Sequence, residues 1–240
     1  MDGSVAENIR HNLEYVQERI ARAAMRAGRS AAEVKLVVVS KAQPLAVVQA
    51  AFDVGVRLFG ENYPEESLPK IEALAGRGAS WHMIGHLQSR KVRIVCQSFD
   101  MLHSLDRVSL ALKLEQVLAQ NGRVLPCLLE LNVGEEESKF GFDVREKEDF
   151  LNSVAQIVAL PHIELRGLMT MPPLMEDPEM VRPYFARLRE WQTVLRREFP
   201  MACWDELSMG TSADFEQAIA EGATYVRIGQ AILGPRLRPA

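Results

Sequence analysis

The stretch KLVVVSKAQP, residues 35–44, runs apolar from Leu36 to Val39 and then breaks on Ser40-Lys41. A short, unbroken, valine-rich run reads as a strand buried on both faces, because branched side chains suit a crowded pleated surface. Pro44 stands just before a helical pattern that starts at Leu45, where its missing N–H costs nothing. The unit is strand, turn, helix, with a lysine at the carboxyl end of the strand. That unit is the repeating half of an α/β fold, and the chain goes on to repeat it.

Further strand-like runs lie at 56–60, 80–85, 100–104, 124–133, 162–170, 204–208 and 223–228, after the first at 35–40. Helical patterns fill the intervals, for example RVSLALKLEQVLAQNG and RPYFARLREWQTVLRREF. Several close on glycine (Gly55, Gly122, Gly222), which accepts a left-handed C-terminal conformation. An extra amphipathic helix over 4–28 precedes them, with Ile9, Leu13, Val16, Ile20 and Ala24 at helical spacing and Gly28 as its stop. Eight such units in about 200 residues predict a (β/α)8 TIM-type barrel, one domain over 1–240. The rival is a doubly wound open sheet, but no G-x-G-x-x-G follows the first strand.

Composition narrows the function. A chain of 240 residues that is 48% hydrophobic can bury a large core. A net charge of −4 argues against a nucleic-acid or anionic-membrane surface. No apolar run approaches the roughly 20 residues that span a bilayer, and MDGSVAENIR does not read as a signal peptide. Cys96, Cys127 and Cys203 are odd in number and set among apolar residues. They read as buried free thiols of a reducing, cytoplasmic protein.

In such a barrel the chemistry belongs at the carboxyl ends of the strands. LSMGTSADFEQAIAEGA (207–223) is a strand end, a glycine turn and a helix. Gly210 lets the backbone come close to a ligand, Thr211 or Ser212 can cap the helix, and Thr211-x-x-Asp214 fits a capping box. YVRIGQAILG (225–234) repeats the device at Gly229. Both turns fall after the seventh and eighth strands, where barrels often bind phosphate. Period-2 alternation puts Tyr225, Arg227 and Gly229 on one face, so Arg227 points into the barrel if Val226 and Ile228 face the helices. A buried guanidinium calls for an anion.

Lys41 faces the same rim. Desolvation and nearby cationic charge lower a lysine's pKa, and a neutral amine forms Schiff bases with carbonyls. A lysine and a phosphate cradle across one barrel mouth suit a ligand bearing both an aldehyde or ketone and a phosphate. Pyridoxal 5′-phosphate fits that description, and so does the phosphosugar of an aldolase. His82-x3-His86 has a metal-ligand spacing, but Gly85 and the strand pattern break it, and no metal is expected. Lys139, in GEEESKFG, is a rival amine in an acidic loop.

The motifs VSKAQP, FGENYPEE, WHMIGHLQSRK, LNVGEEESKFG, RGLMTM, LSMGTSADFEQAI and VRIGQAILGPR stand in that order between about residues 5 and 238. In order and spacing they resemble those of the pyridoxal phosphate homeostasis proteins. The resemblance implies a barrel like the N-terminal domain of alanine racemase, with pyridoxal phosphate held as an internal aldimine on Lys41. It implies that Asn62 lines the cofactor and that Ser208, Gly210, Arg227 and Gly229 anchor its phosphate and ring. Met209 and Ile228 complete the expected cofactor-binding set. Thr211 departs from the family's usual serine, which leaves the turn's N–H groups unchanged.

The function so implied is buffering and delivery of pyridoxal phosphate inside the cell, with apo pyridoxal-phosphate enzymes as recipients. The alternative is a pyridoxal-phosphate-dependent racemase-like enzyme. Racemisation needs an acid/base on each face of the substrate carbanion. In the racemases that the barrel resembles, the second base is a tyrosine from a further domain of a partner subunit. Only QAILGPRLRPA follows Gly229, so no such domain is expected, and neither are catalytic residues. The charged outer helices point to a monomer.

Overall fold

The computed structural model describes residues 3–134, 140–173 and 175–236. Eight parallel strands close into a barrel in chain order: β1 (Lys35–Val39), β2 (Leu58–Glu61), β3 (Ser80–Met83), β4 (Met101–Leu105), β5 (Leu125–Glu130), β6 (Ile163–Met169), β7 (Glu206–Ser208) and β8 (Tyr225–Ile228). The seam is the β1–β8 pair, with Lys35 opposite Tyr225 and Val37 opposite Arg227. Helices α2 (Leu45–Asp53), α3 (Pro64–Ala73), α4 (Val92–Ser98), α5 (Val108–Asn121), α6 (Lys147–Val158), α7 (Arg182–Glu198), α8 (Phe215–Ala220) and α9 (Gln230–Leu233) follow the strands in turn, and α1 (Gly3–Arg26) precedes them.

All eight expected strands form, but β2, β7 and β8 begin two residues later than the apolar runs do. For β2 and β8 the cause is the way the preceding helix ends. At Gly55 (φ 110°) the Val56 N–H closes back on the Ala51 carbonyl and the Gly55 N–H on Phe52, so Val56 completes α2 and β2 waits until Leu58. The same pair of bonds at Gly222 (φ 100°) takes Ala223 from β8. Trp204 leaves β7 for another reason. Its indole is buried in the outer core, with its N–H donating to the Phe199 carbonyl.

Alternation along the strands sorts the core into two layers. Val37, Met101, Leu128, Met169 and Tyr225 fill the barrel interior. Val38, Phe59, Leu102, Leu129, Leu168, Val226 and Ile228 face outward, against the helices. The helices α8 and α9 have only six and four residues and cannot cover that flank of the sheet. Helix α1 covers it, packing against α2, α8 and α9 with the expected Ile9, Leu13, Val16, Ile20 and Ala24 buried. Each large side chain so buried contributes roughly 1.5–3 kcal/mol. Arg19 and Arg26 of α1 both pair with Glu216 of α8, which fixes the helix's register on this flank.

Cys96 and Cys127 are buried thiols, as expected, whereas Cys203 is half-buried in the turn between α7 and β7. None of the three is in a disulfide. No helix among the described residues is long and apolar enough to cross a membrane.

Candidate functional site

The carboxyl ends of the strands surround a cavity of about 780 Å³. Lys41, Asn62, Arg227 and Gly229 line it, and so do residues 211–213. These come from the ends of β1, β2, β7 and β8, so the barrel brings together residues that the sequence holds far apart.

Lys41 stands in a turn directly after β1. The next residue, Ala42, has φ 55°, a left-handed conformation uncommon for a residue with a side chain. The turn is held from behind. Ser40 is fully buried, its hydroxyl donates to Glu61 Oε1 at 2.7 Å, and its carbonyl accepts from Lys70 Nζ at 2.8 Å. Lys70 also pairs with Glu61 at 2.8 Å, so a buried ion pair grips both polar groups of the residue before Lys41. Burial lowers the Lys41 pKa below the ordinary lysine value, and the charges of Arg236 and Arg227 lower it further; Glu61 opposes them. The contribution of Arg236 could not be foreseen from a position so near the end of the sequence.

Arg227 points into the barrel, as alternation required, and is buried. Its guanidinium donates to Ser208 Oγ at 2.6 Å, to the Thr170 carbonyl at 3.0 Å and to Met171 Sδ at 2.8 Å. All three acceptors are neutral. Burial pulls its pKa down to about 10 against the opposing charges of Glu130 and Asp214. Ser208 Oγ also bonds His103 Nδ1 at 2.9 Å, and His103 Nε2 bonds His82 Nδ1 at 2.9 Å. Burial drives both imidazoles toward the neutral form, His82 to about 4. The result is a chain of hydrogen bonds running down the barrel beneath Arg227.

The two glycine turns differ in part from their expected roles. Gly210 (φ 89°) is required by packing, since a Cβ there would lie 2.6 Å from that of Ala218 and 2.9 Å from the Phe215 Cα. Thr211 does not cap the helix. Its N–H and its hydroxyl both donate to Asp214 Oδ1, at 2.6 and 3.1 Å, and α8 starts only at Phe215. The side chain that completes a capping box is present, but the one that opens it is turned back on Asp214. The N–H groups of Ser212 and Ala213 have no protein acceptor among the described residues, and neither have those of Gly229 and Gln230. A Cβ at Gly229 would lie 2.9 Å from the Val39 carbonyl, so only glycine lets β8 press this closely on β1.

Asn62 packs against Gly85, where any Cβ would lie 2.8 Å from it. Ser208 lies under the cavity and touches it only through Arg227. The side chains of Met209 and Ile228 belong to the outer core, which leaves only their main chain for the cavity side. His82 and His86 separate: His82 joins His103, while His86 bonds Asp106 at 2.9 Å and stacks on Phe140. Lys139 lies outside the described residues. The sequence reading missed Glu130, a buried carboxyl in the cavity wall.

Residues 6–237 match the family model described as the alanine racemase N-terminal domain. A pyridoxal phosphate homeostasis protein of Aquifex aeolicus is 43% identical over 229 residues, covering 95% of this chain and 99% of that one. The chain belongs to the pyridoxal phosphate homeostasis protein family. Among solved structures, PipY of Synechococcus elongatus with PLP bound is 33% identical, with a TM-score of 0.79 over 91% of this chain and all of that one. The fold extends beyond the family: an alanine racemase of Clostridium difficile gives a TM-score of 0.69 at 14% identity, covering 94% of this chain and 56% of its own.

Proposed function

We propose that this chain binds pyridoxal 5′-phosphate at the barrel mouth and serves to buffer and deliver it inside the cell. The observation that carries the reading is the placement of Lys41, just after β1, and Arg227, on the adjoining β8, in one cavity, with four backbone N–H groups beside them that have no acceptor among the described residues. The residues fit the molecule. Arg227 has only neutral partners and retains its charge for an anion. The N–H groups of 212, 213, 229 and 230 offer phosphate oxygens the donors they lack. Pyridoxal phosphate brings an aldehyde that a neutral amine can capture, and Lys41 is the lysine whose charged form the site disfavours. Asn62 and the main chain of Met209, Gly210, Ile228 and Gly229 complete the contact set, while Ser208 acts from beneath by holding Arg227.

Storage rather than turnover is supported by the relatives' description as homeostasis proteins. Turnover of amino acids needs positioned acid/base groups on both faces of the reacting carbon, a contribution of typically 10²–10⁴-fold. We read the protein as a cytoplasmic monomer, single-domain, with apo pyridoxal-phosphate enzymes as recipients.

The decisive experiment adds pyridoxal phosphate to the purified protein, follows the near-visible absorbance, fixes the adduct with borohydride and maps the labelled peptide. Label on Lys41 is expected. The loaded protein is then offered single amino acids and, separately, an apo-enzyme. Transfer faster than passive release, with no D-isomer, keto acid or carbon dioxide, supports the reading. Sustained turnover near 10 s⁻¹ would refute it. Light scattering tests the monomer, and a dimer that persists on dilution would count against it.

A further inference from the structure

Glu130 ends β5 two residues after Leu128, which is in the barrel interior, so the same alternation turns its side chain inward. The carboxyl lines the cavity, its residue is only 7% exposed, and Oε2 has no hydrogen-bond partner among the described residues. A buried carboxyl oxygen without a partner has lost its water and gained nothing in return, which is a cost to the fold. Arg227 does not relieve the cost, since among the described residues it makes no ion pair with Glu130. The neighbouring strand ends offer no better partner. Asp106, after β4, is a second carboxyl already bound to His86 and Arg107, and the Thr170 hydroxyl, after β6, is spent on the Leu131 carbonyl. A group left unsatisfied in a cavity wall is placed to meet what enters the cavity.

We propose that Glu130 contacts the bound ligand directly, donating a hydrogen bond from its carboxyl to one of the ligand's anionic oxygens. The inference rests on the pyridoxal phosphate reading, whose ligand has two such acceptors, the phosphate and the ring hydroxyl oxygen. Donation needs the neutral acid. Burial and the charge of Asp106 raise the Glu130 pKa to about 7, while Arg227 pulls the other way; Lys41 and His86 line the same cavity. At slightly alkaline pH the group is mostly ionised when the cavity is free. Binding an anion beside it then draws a proton onto it.

The test titrates the full-length apo-protein with pyridoxal phosphate at pH 8 in two buffers of different ionisation enthalpy, which counts protons taken up. Wild type should take up close to one proton more than Glu130→Gln, a variant that keeps the shape and a permanent donor. Above pH 7 the wild-type affinity should fall relative to the variant by roughly tenfold per pH unit. Inorganic phosphate and unphosphorylated pyridoxal are titrated in parallel. An uptake difference with phosphate assigns the contact to the phosphate, and one with pyridoxal alone assigns it to the ring oxygen. Equal uptake by both proteins with every ligand overturns the inference, even if borohydride still fixes the adduct on Lys41. If neither protein forms an adduct, the pyridoxal phosphate reading fails, and the inorganic phosphate titration still decides the role of Glu130. Should the variant fold poorly, difference infrared on wild type gives the same answer: a carboxylic-acid C=O band gained on binding supports the contact, and none excludes it.

Discussion

Replacing Lys70 with methionine keeps the side chain's length but removes the two hydrogen bonds by which the ammonium holds the turn before Lys41. In the folded protein Lys70 is nearly buried and Glu61 fully so, with side-chain exposures of 7% and 0%. The variant leaves the Glu61 carboxyl in the interior, with the Ser40 hydroxyl as its sole hydrogen-bond donor among the described residues, and leaves the Ser40 carbonyl without the lysine. Removing one partner of a buried pair costs about 3–5 kcal/mol, because the other charge stays behind. At an m-value of about 3 kcal/mol per molar, the urea midpoint should fall by roughly 1–2 M. Adding Glu61→Gln should recover most of the loss, since the stranded charge goes with it and only hydrogen bonds of about 1 kcal/mol each remain missing. Urea unfolding of the single and double variants measures both numbers. A single variant within 1 kcal/mol of wild type, or a double variant less stable than the single, would refute the argument.

Lys41→Ala should abolish covalent capture of pyridoxal phosphate with little change in unfolding midpoint, since the amine lies at the cavity edge; an unchanged absorbance band would move the attachment to another lysine. Arg227→Gln should weaken retention by roughly 10- to 150-fold in equilibrium dialysis, the equivalent of 1.5–3 kcal/mol for hydrogen bonds to a charged group. The pH at which capture is half-maximal should lie below that of a free lysine amine, because burial and two cations favour the neutral form; Arg236→Ala should raise it, measured by the absorbance change against pH. Iodoacetamide should label Cys203 in the native protein and Cys96 or Cys127 only after unfolding, since burial pushes Cys96 up to about 11 and Cys127 higher still; peptide mass spectrometry reads the order.

The barrel was legible because a strand covered on both faces leaves an apolar run that needs no partner to be recognised. Its edges were less so: Val56 and Ala223 look like strand residues but complete helix ends, and composition does not distinguish the two uses. Lys41, Arg227 and Gly229 could be read because a strand end and an alternation rule place them. The same rule, applied to LPCLLE, turns Glu130 inward, and a carboxylate in so apolar a run was the signal available. Lys70 gave none, being one charged residue among several on α3. The contact of Thr211 with Asp214 was hidden for a different reason. The two residues suit a cap read in either direction, and only the folded turn chooses.

The seam between β1 and β8 has a consequence for how the protein is made. Lys41 directly follows the first strand synthesised and Arg227 belongs to the last, and the two strands pair with each other. A nascent chain carrying seven strands therefore has the amine but no guanidinium beside it, and its Lys41 is still open to water. The binding site comes into being in one step, when the eighth strand docks on the first. Ligand uptake during translation thus reports barrel completion, and a ribosome-bound chain stalled before Tyr225 should hold nothing.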